Sequence, residues 1–227
     1  MDKGAQFSTE YLVITGIAMF IVFALVVFAV VYYYAYSSGV TYASYDTAVG
    51  QIATEADYVA SQGLGSSIAF QVKVGTINYT NSLFCGKFVK IGSDTTSSIR
   101  PTTVNISGVL PLLPGLYTFY AKAALYEDNL TVQNWIDAPL AFINASYSVS
   151  GSALNYDLQF LSVNDILVKD VTFNISAYTA GGTFAGSQRE ASTSGTYSGS
   201  LSLSQSASQY HVYIVAGNYN VFSAVCI

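Results

Sequence analysis

The sequence predicts an α+β chain in which a long N-terminal α-helix precedes an antiparallel, Ig-like β-sandwich region. Three observations carry this. From Leu12 to Tyr36 the chain has 25 residues without Asp, Glu, Lys, Arg or His. From Asp46 to Gln62 apolar residues recur with a helical period. From Ser67 onward the period becomes two, punctuated by Gly, Ser and Asn.

The apolar run comes first. As a helix, 25 residues extend ~37 Å, enough to cross a hydrocarbon core of ~30 Å with some tilt. A secretory signal peptide has a shorter apolar core and a small-residue cleavage site after it. This run is too long and no such site follows, so the helix is expected to stay with the mature protein. Lys3 lies on its N-terminal flank, and no Lys or Arg occurs from Ser37 to Val72. That asymmetry places the N-terminus in the cytoplasm and the rest outside a single-pass membrane span. Tyr32, Tyr33, Tyr34 and Tyr36 gather at the far end, as an interfacial aromatic belt does. Small residues are few (Gly16, Ala18, Ala24, Ala29) and no GxxxG pair is present, so the run suits either lipid or a dry bundle of neighbouring helices.

The helix does not stop at the membrane edge. Val49, Ile52, Ala53, Ala56, Val59 and Ala60 form one apolar stripe, with Gln51, Glu55, Asp57 and Ser61 opposite. Gly63 and Gly65 end it. The stripe needs a surface to cover, most simply the sheet that follows. Expected strands there are Ile68–Val74, Leu83–Ile91, Thr103–Leu110 and Gly115–Leu125. Turns fall at Asn78–Ser82, Ser93–Ser98, Leu113–Gly115 and Glu127–Asn129. After Pro139 seven short strands are expected: Ala141–Val149, Asn155–Ser162, Val168–Tyr178, Gly182–Glu190, Gly195–Leu203, Gln209–Ala216 and Tyr219–Val225. The expected divisions are a leader at 1–5, a membrane or filament-core helix at 6–36 and its amphipathic extension at 37–66. A small β region packed on the helix follows at 67–138, then a β-sandwich domain at 139–227.

Composition narrows the function. Charged residues make up 9 % of the chain and the net charge is −5, against a typical charged share of about 25 %. No basic face exists for nucleic acid. Hydroxyls and amides carry the polarity, which suits an acidic or harsh exterior because such groups do not titrate there. Most of the 19 tyrosines are expected in the core and a minority on the surface. Cys85 and Cys226 are the only cysteines. They lack metal spacing, and an exported chain with an even count favours a disulfide between them. Two separately buried thiols are the alternative. Neither a metal nor a cofactor is expected: the acidic residues fit no calcium-loop spacing, and no Walker loop, GxGxxG or HExxH occurs. The single histidine, His211, sits in a strand pattern and is read as a sheet residue rather than a catalytic base, so no enzyme activity is expected. Asn78, Asn105, Asn129, Asn144 and Asn174 head Asn-x-Ser/Thr sequons, with Asn78 and Asn129 in turn-like stretches.

The heptad Gln6-Phe7-Ser8-Thr9-Glu10-Tyr11-Leu12 fits Q-x-S-x-E-x-L and directly abuts the apolar helix. Here the chain resembles archaeal type IV pilin-like proteins with class III signal peptides, over about its first 65 residues. The resemblance implies that a membrane prepilin peptidase cuts the Ala5–Gln6 bond, with Gly4 and Ala5 small enough for access. Gln6, Ser8, Glu10 and Leu12 would be the recognised positions. It further implies that the mature chain leaves the membrane and polymerises through its helix with identical or related subunits. The α-amine of Gln6 on one subunit would then meet Glu10 of a neighbour. A buried carboxylate needs such a cation; in a monomeric anchor Glu10 would instead sit among headgroups at the helix start. The expected function is therefore a structural subunit of a pilus-like surface filament, with adhesion or surface contact as its task. The alternative is a monomeric, membrane-anchored extracellular module that binds a glycan, a solute or a surface-layer partner.

Overall fold

A computed structural model describes residues 3–126 and 129–227, with side chains described for all of these except residues 3–10, 33–42 and 126. Two units, Met1–Thr41 and Tyr42–Ile227, divide the chain, and one helix, α1 (Lys3–Gln62), contributes to both. No proline interrupts those 60 residues, so nothing removes an amide donor from the ladder. The helix ends where Gly63 takes a positive φ of 89°. Its N–H donates to the Ala60 carbonyl at 3.1 Å, a termination that suits glycine.

Within the second unit the apolar stripe is buried as its period requires. Tyr45, Ala48, Val49, Ile52, Ala53, Ala56 and Val59 are all inside the core, one turn longer at its start than the sequence suggested. Gln51 and Ser61 face solvent, and Glu55, Asp57 and Ala60 are half-buried. Polar bonds fix the flanks of this segment. The Tyr45 hydroxyl donates to the Thr76 carbonyl. Asp46 accepts from Arg100 at 2.9 and 2.8 Å through its two oxygens and from the Ser98 hydroxyl at 2.8 Å. Asp57 accepts from the Thr103 N–H at 2.7 Å and its hydroxyl at 2.8 Å. Such exposed pairs are screened by solvent and stabilise weakly; burial of the stripe does most of the holding.

Fourteen strands follow: β1 (Ser67–Val74), β2 (Leu83–Cys85), β3 (Phe88–Gly92), β4 (Ser97–Pro101), β5 (Asn105–Pro111), β6 (Gly115–Tyr126), β7 (Asn129–Ile136), β8 (Phe142–Ser150), β9 (Ala153–Leu161), β10 (Val171–Thr179), β11 (Phe184–Ser192), β12 (Thr196–Ser202), β13 (Tyr210–Ala216) and β14 (Val221–Cys226). The larger sheet runs β1-β6-β7-β5-β14-β13-β10-β11, with β2, β3 and β4 branching from β14. The smaller has the order β12-β9-β8. It stacks on β10 through Phe160–Phe173 and Phe173–Tyr197 ring contacts, both with centroids 5.2 Å apart.

A β-rich unit after an apolar helix is thus present, but its pairing differs from an all-antiparallel sandwich. Among the described residues β5 pairs β7 in parallel, as does β14 with β2. The β5–β7 approach is close: a Cβ on Gly108 would lie 2.5 Å from the Asn134 carbonyl oxygen, so only glycine fits there. Strands from either side of the expected boundary near Trp135–Pro139 share one sheet, β5 lying beside β14; within that boundary Asp137 and Pro139 are exposed and Trp135 and Ile136 buried. The expected strand Leu83–Ile91 is a hairpin that turns at Gly86-Lys87 between β2 and β3. β4 and β7 were not expected as strands. In β7 nearly every residue is at least half-buried, so the alternation of Leu130, Val132 and Ile136 with Thr131 and Gln133 is a weak mark. Of the described tyrosines in the second unit, Tyr58 is the one exposed, while Tyr45, Tyr156, Tyr210 and Tyr213 are buried.

If the stripe of α1 is core, Ile52→Ala lowers unfolding stability by about 2–5 kcal/mol, whereas Tyr58→Ala on the exposed face changes it by less than about 0.5 kcal/mol. Urea titration of the chain in a membrane mimetic measures both.

Candidate functional site

The most unusual surface in the molecule is the first half of α1. Tyr11–Tyr32 spans 22 residues with a mean hydropathy of 2.9, and none of it is buried by the chain itself. Leu12, Phe20 and Phe28 are each about 70 % exposed. A soluble monomer rarely leaves so large an apolar surface in water. Its one hydroxyl threonine is satisfied internally, Thr15 donating to the Tyr11 carbonyl at 2.8 Å, as a lipid-facing helix requires. Phe28 and Tyr32 stack one turn apart at 6.3 Å. This helix is long and apolar enough to cross a membrane, a property that a signal sequence shares. Of the expected recognition residues, Leu12 begins this exposed surface. The side chains of Gly4, Ala5, Gln6, Ser8 and Glu10 lie outside those described.

At the other end of the chain, Cys85 and Cys226 are joined in a disulfide with a Cα–Cα distance of 5.0 Å. It sits beside the bridge Val225↔Phe84, the one register pair between β14 and β2. Backbone hydrogen bonding there is sparse, so the covalent link holds the β2–β3–β4 branch to the larger sheet. Ser98 and Arg100 on β4 in turn bind Asp46 of α1.

The sequons differ in what their amides already do. Asn78 caps the short helix Tyr79–Asn81, accepting from the Thr80 N–H at 2.9 Å and the Thr80 hydroxyl at 2.8 Å while its amide donates to Asp94. Asn174 donates to the Ser176 hydroxyl at 3.3 Å and Asn144 to Gln159 at 3.0 Å. Asn129, at the start of β7, is the exposed one. Asn105 and Asn144 line one cleft of about 310 Å³ between β5, β7, β14 and β8. Nothing in the sequence places these two asparagines together, because the parallel β5–β7 ladder and the stacking of the smaller sheet create the cleft.

His211 borders a cavity of about 450 Å³ with Lys90, Tyr178 and Tyr213. Burial lowers its pKa below the ordinary 6.5, and the nearby Lys90 ammonium lowers it further. A catalytic histidine of the serine type needs a carboxylate behind it; Lys90 has the opposite sign. Burial, with Tyr178 alongside, pushes the Tyr213 hydroxyl up to about 12, so it stays a donor, bonded to the Thr80 carbonyl at 3.1 Å. Among the described residues no group of three or more His, Cys, Asp or Glu could hold a metal ion.

No family model and no curated protein matches the chain. Among solved structures it is similar to a DUF3823 family protein from Bacteroides ovatus at 8 % identity and a TM-score of 0.33, over 69 % of this chain and 94 % of that one. It is also similar to the Ruminococcus gnavus β-glucuronidase at 7 % identity and a TM-score of 0.26, over 72 % of this chain and 35 % of the enzyme. The chain therefore spans about a third of that enzyme's length, and neither likeness carries a functional inference.

Two outcomes are expected. Closing a loop across 141 positions stabilises by about 5 kcal/mol in the chain-entropy model, so Cys85→Ser with Cys226→Ser moves the urea midpoint down sharply. Acidification removes stability in two windows. His211 titrates lower folded than unfolded, so its contribution is present above its ordinary 6.5 and is lost as pH falls through the folded value. Asp46, held below 3.8 first by the Ser98 hydroxyl and then by Arg100, contributes above that value and loses it as pH falls through its own lower folded pKa. His211→Gln flattens the upper window and Asp46→Asn the lower, as read from urea midpoints against pH.

Proposed function

We propose that this chain is the structural subunit of an archaeal type IV pilus-like surface filament. It enters the membrane as a single-pass prepilin with its N-terminus in the cytoplasm. A prepilin peptidase removes residues 1–5, and the mature chain polymerises through its N-terminal helix. The observation that carries this reading is the span Tyr11–Tyr32, wholly unburied by its own chain yet continuous with a helix segment that lies in the core of the β unit. An apolar surface of that length needs lipid before assembly or neighbouring helices after it. The heptad beginning at Gln6 supplies the cleavage address and, with Glu10, a charge pair that sets the stagger between subunits. Residues 67–227, as a sandwich-like head, then form the outer sheath, with adhesion or surface contact as their task. Few charges and a cross-strand disulfide suit an exposed, oxidising location.

A second reading, the monomeric membrane-anchored binding module, is favoured by the cleft between β5, β7 and β8, which has both polar and apolar walls. It shares every export feature and differs only in whether the helix leaves the bilayer.

N-terminal sequencing of the chain from its native membrane, with electron microscopy of cell-surface filaments, separates the two. A mature chain beginning at Gln6 and present in filaments is expected. Glu10→Ala is expected to abolish filaments while the chain still accumulates in the membrane. Retention of Met1, or filaments unaffected by Glu10→Ala, contradicts assembly through this helix.

A further inference from the structure

We infer that the cleft between the two sheets is a binding site for a neutral sugar. Its geometry follows from the parallel register of β5 and β7, which sets Asn105 opposite Thr131 and Ser107 opposite Gln133. Strand alternation puts these four on one face while Ile106 and Val132 turn into the core. The result is a square of neutral amides and hydroxyls at the cleft floor, faced across the gap by Ala145 and Tyr147 of β8. Among the described residues the Asn105, Ser107 and Thr131 side chains have no hydrogen-bond partner. Phe84, Phe142 and Val225 supply apolar wall.

This lining selects a chemistry. No Asp, Glu, Lys, Arg or His side chain borders the cleft, so an anionic ligand would lose its hydration without gaining a cation. A purely apolar ligand would leave the amides and hydroxyls unpaired. A sugar ring offers hydroxyls on its rim and C–H on its faces, and so satisfies both kinds of wall. The volume of about 310 Å³ is at the small end of ligand sites, which run from about 300 to 1,000 Å³, and fits one ring rather than a long chain. The ring can come from two sources: a glycan outside the molecule, or one carried by the chain's own Asn105, which lines the cleft. The site stands whether or not the chain polymerises.

The test uses the full chain in phosphocholine nanodiscs, made in a host that does not N-glycosylate. Methyl glycosides of glucose, galactose, mannose and N-acetylglucosamine are the probes, with methyl glucuronide as the charged counterpart, read by saturation-transfer NMR. At least one neutral glycoside is expected to bind, and the glucuronide at least tenfold more weakly. Ala145→Phe fills the cleft yet keeps the Asn144 sequon, and is expected to remove binding. Asn105→Ala, which deletes one floor amide, is expected to weaken it about tenfold, the effect of one buried hydrogen bond. In the second arm the chain comes from a glycosylating host. If the cleft holds its own glycan on Asn105, added glycosides are excluded in this arm and bind only the unglycosylated chain of the first. Failure of all four neutral glycosides with unglycosylated chain that melts normally, together with no sugar on Asn105 in the second arm, overturns the site. So does undiminished binding by both Ala145→Phe and Asn105→Ala. Neither result touches filament formation, which N-terminal processing and microscopy report.

Discussion

Burial of one helical stripe, from Tyr45 to Val59, is the interaction on which the second unit depends. These side chains belong to the same core cluster as Val72, Phe119, Ile136, Phe160, Ile175, Ile214 and Phe222, which come from strands on both sides of the chain's midpoint. An isolated helix of this length is marginal in water, and a sheet with an uncovered apolar face is an aggregation hazard. Each therefore supplies what the other lacks. The polar contacts of Asp46 and Asp57 sit at the margins of this interface and fix its register, while the disulfide secures the branch that carries Arg100.

That constraint gives the rest of α1 its meaning. The same backbone continues from a segment buried in protein to a segment, Tyr11–Tyr32, that the chain leaves entirely uncovered. This second surface needs lipid or a bundle of copies to bury it.

Much of this was legible in the residues because period and composition report burial directly. The absence of charge from Leu12 to Tyr36 marked the exposed span. The stripe from Val49 to Val59 marked the core helix, and the later strands, with alternate residues buried in β9, matched expectation within a few residues. What was not legible has a common cause. β7 carries only a weak alternation, because residues on both of its faces are at least half-buried. The Leu83–Ile91 run hid a hairpin because its turn is only Gly86-Lys87. The parallel β5–β7 ladder, and with it the cleft that gathers Asn105, Gln133 and Asn144, depends on which strands become neighbours, and no local pattern encodes that. The pairing of Cys85 with Cys226 was readable only because no third cysteine competes.

The central claim is that one helix is both spine of the β unit and an outward apolar surface. Hydrogen exchange of the full chain in nanodiscs, resolved by peptide, tests it most directly. The account predicts that amides of residues 45–59 exchange as slowly as those of β6 and β13, through the same global opening, and that residues 11–32 are protected only while lipid or neighbouring copies cover them. Fast exchange across 45–59 while β6 and β13 stay protected would show that the helix is not part of the core, and would contradict the account.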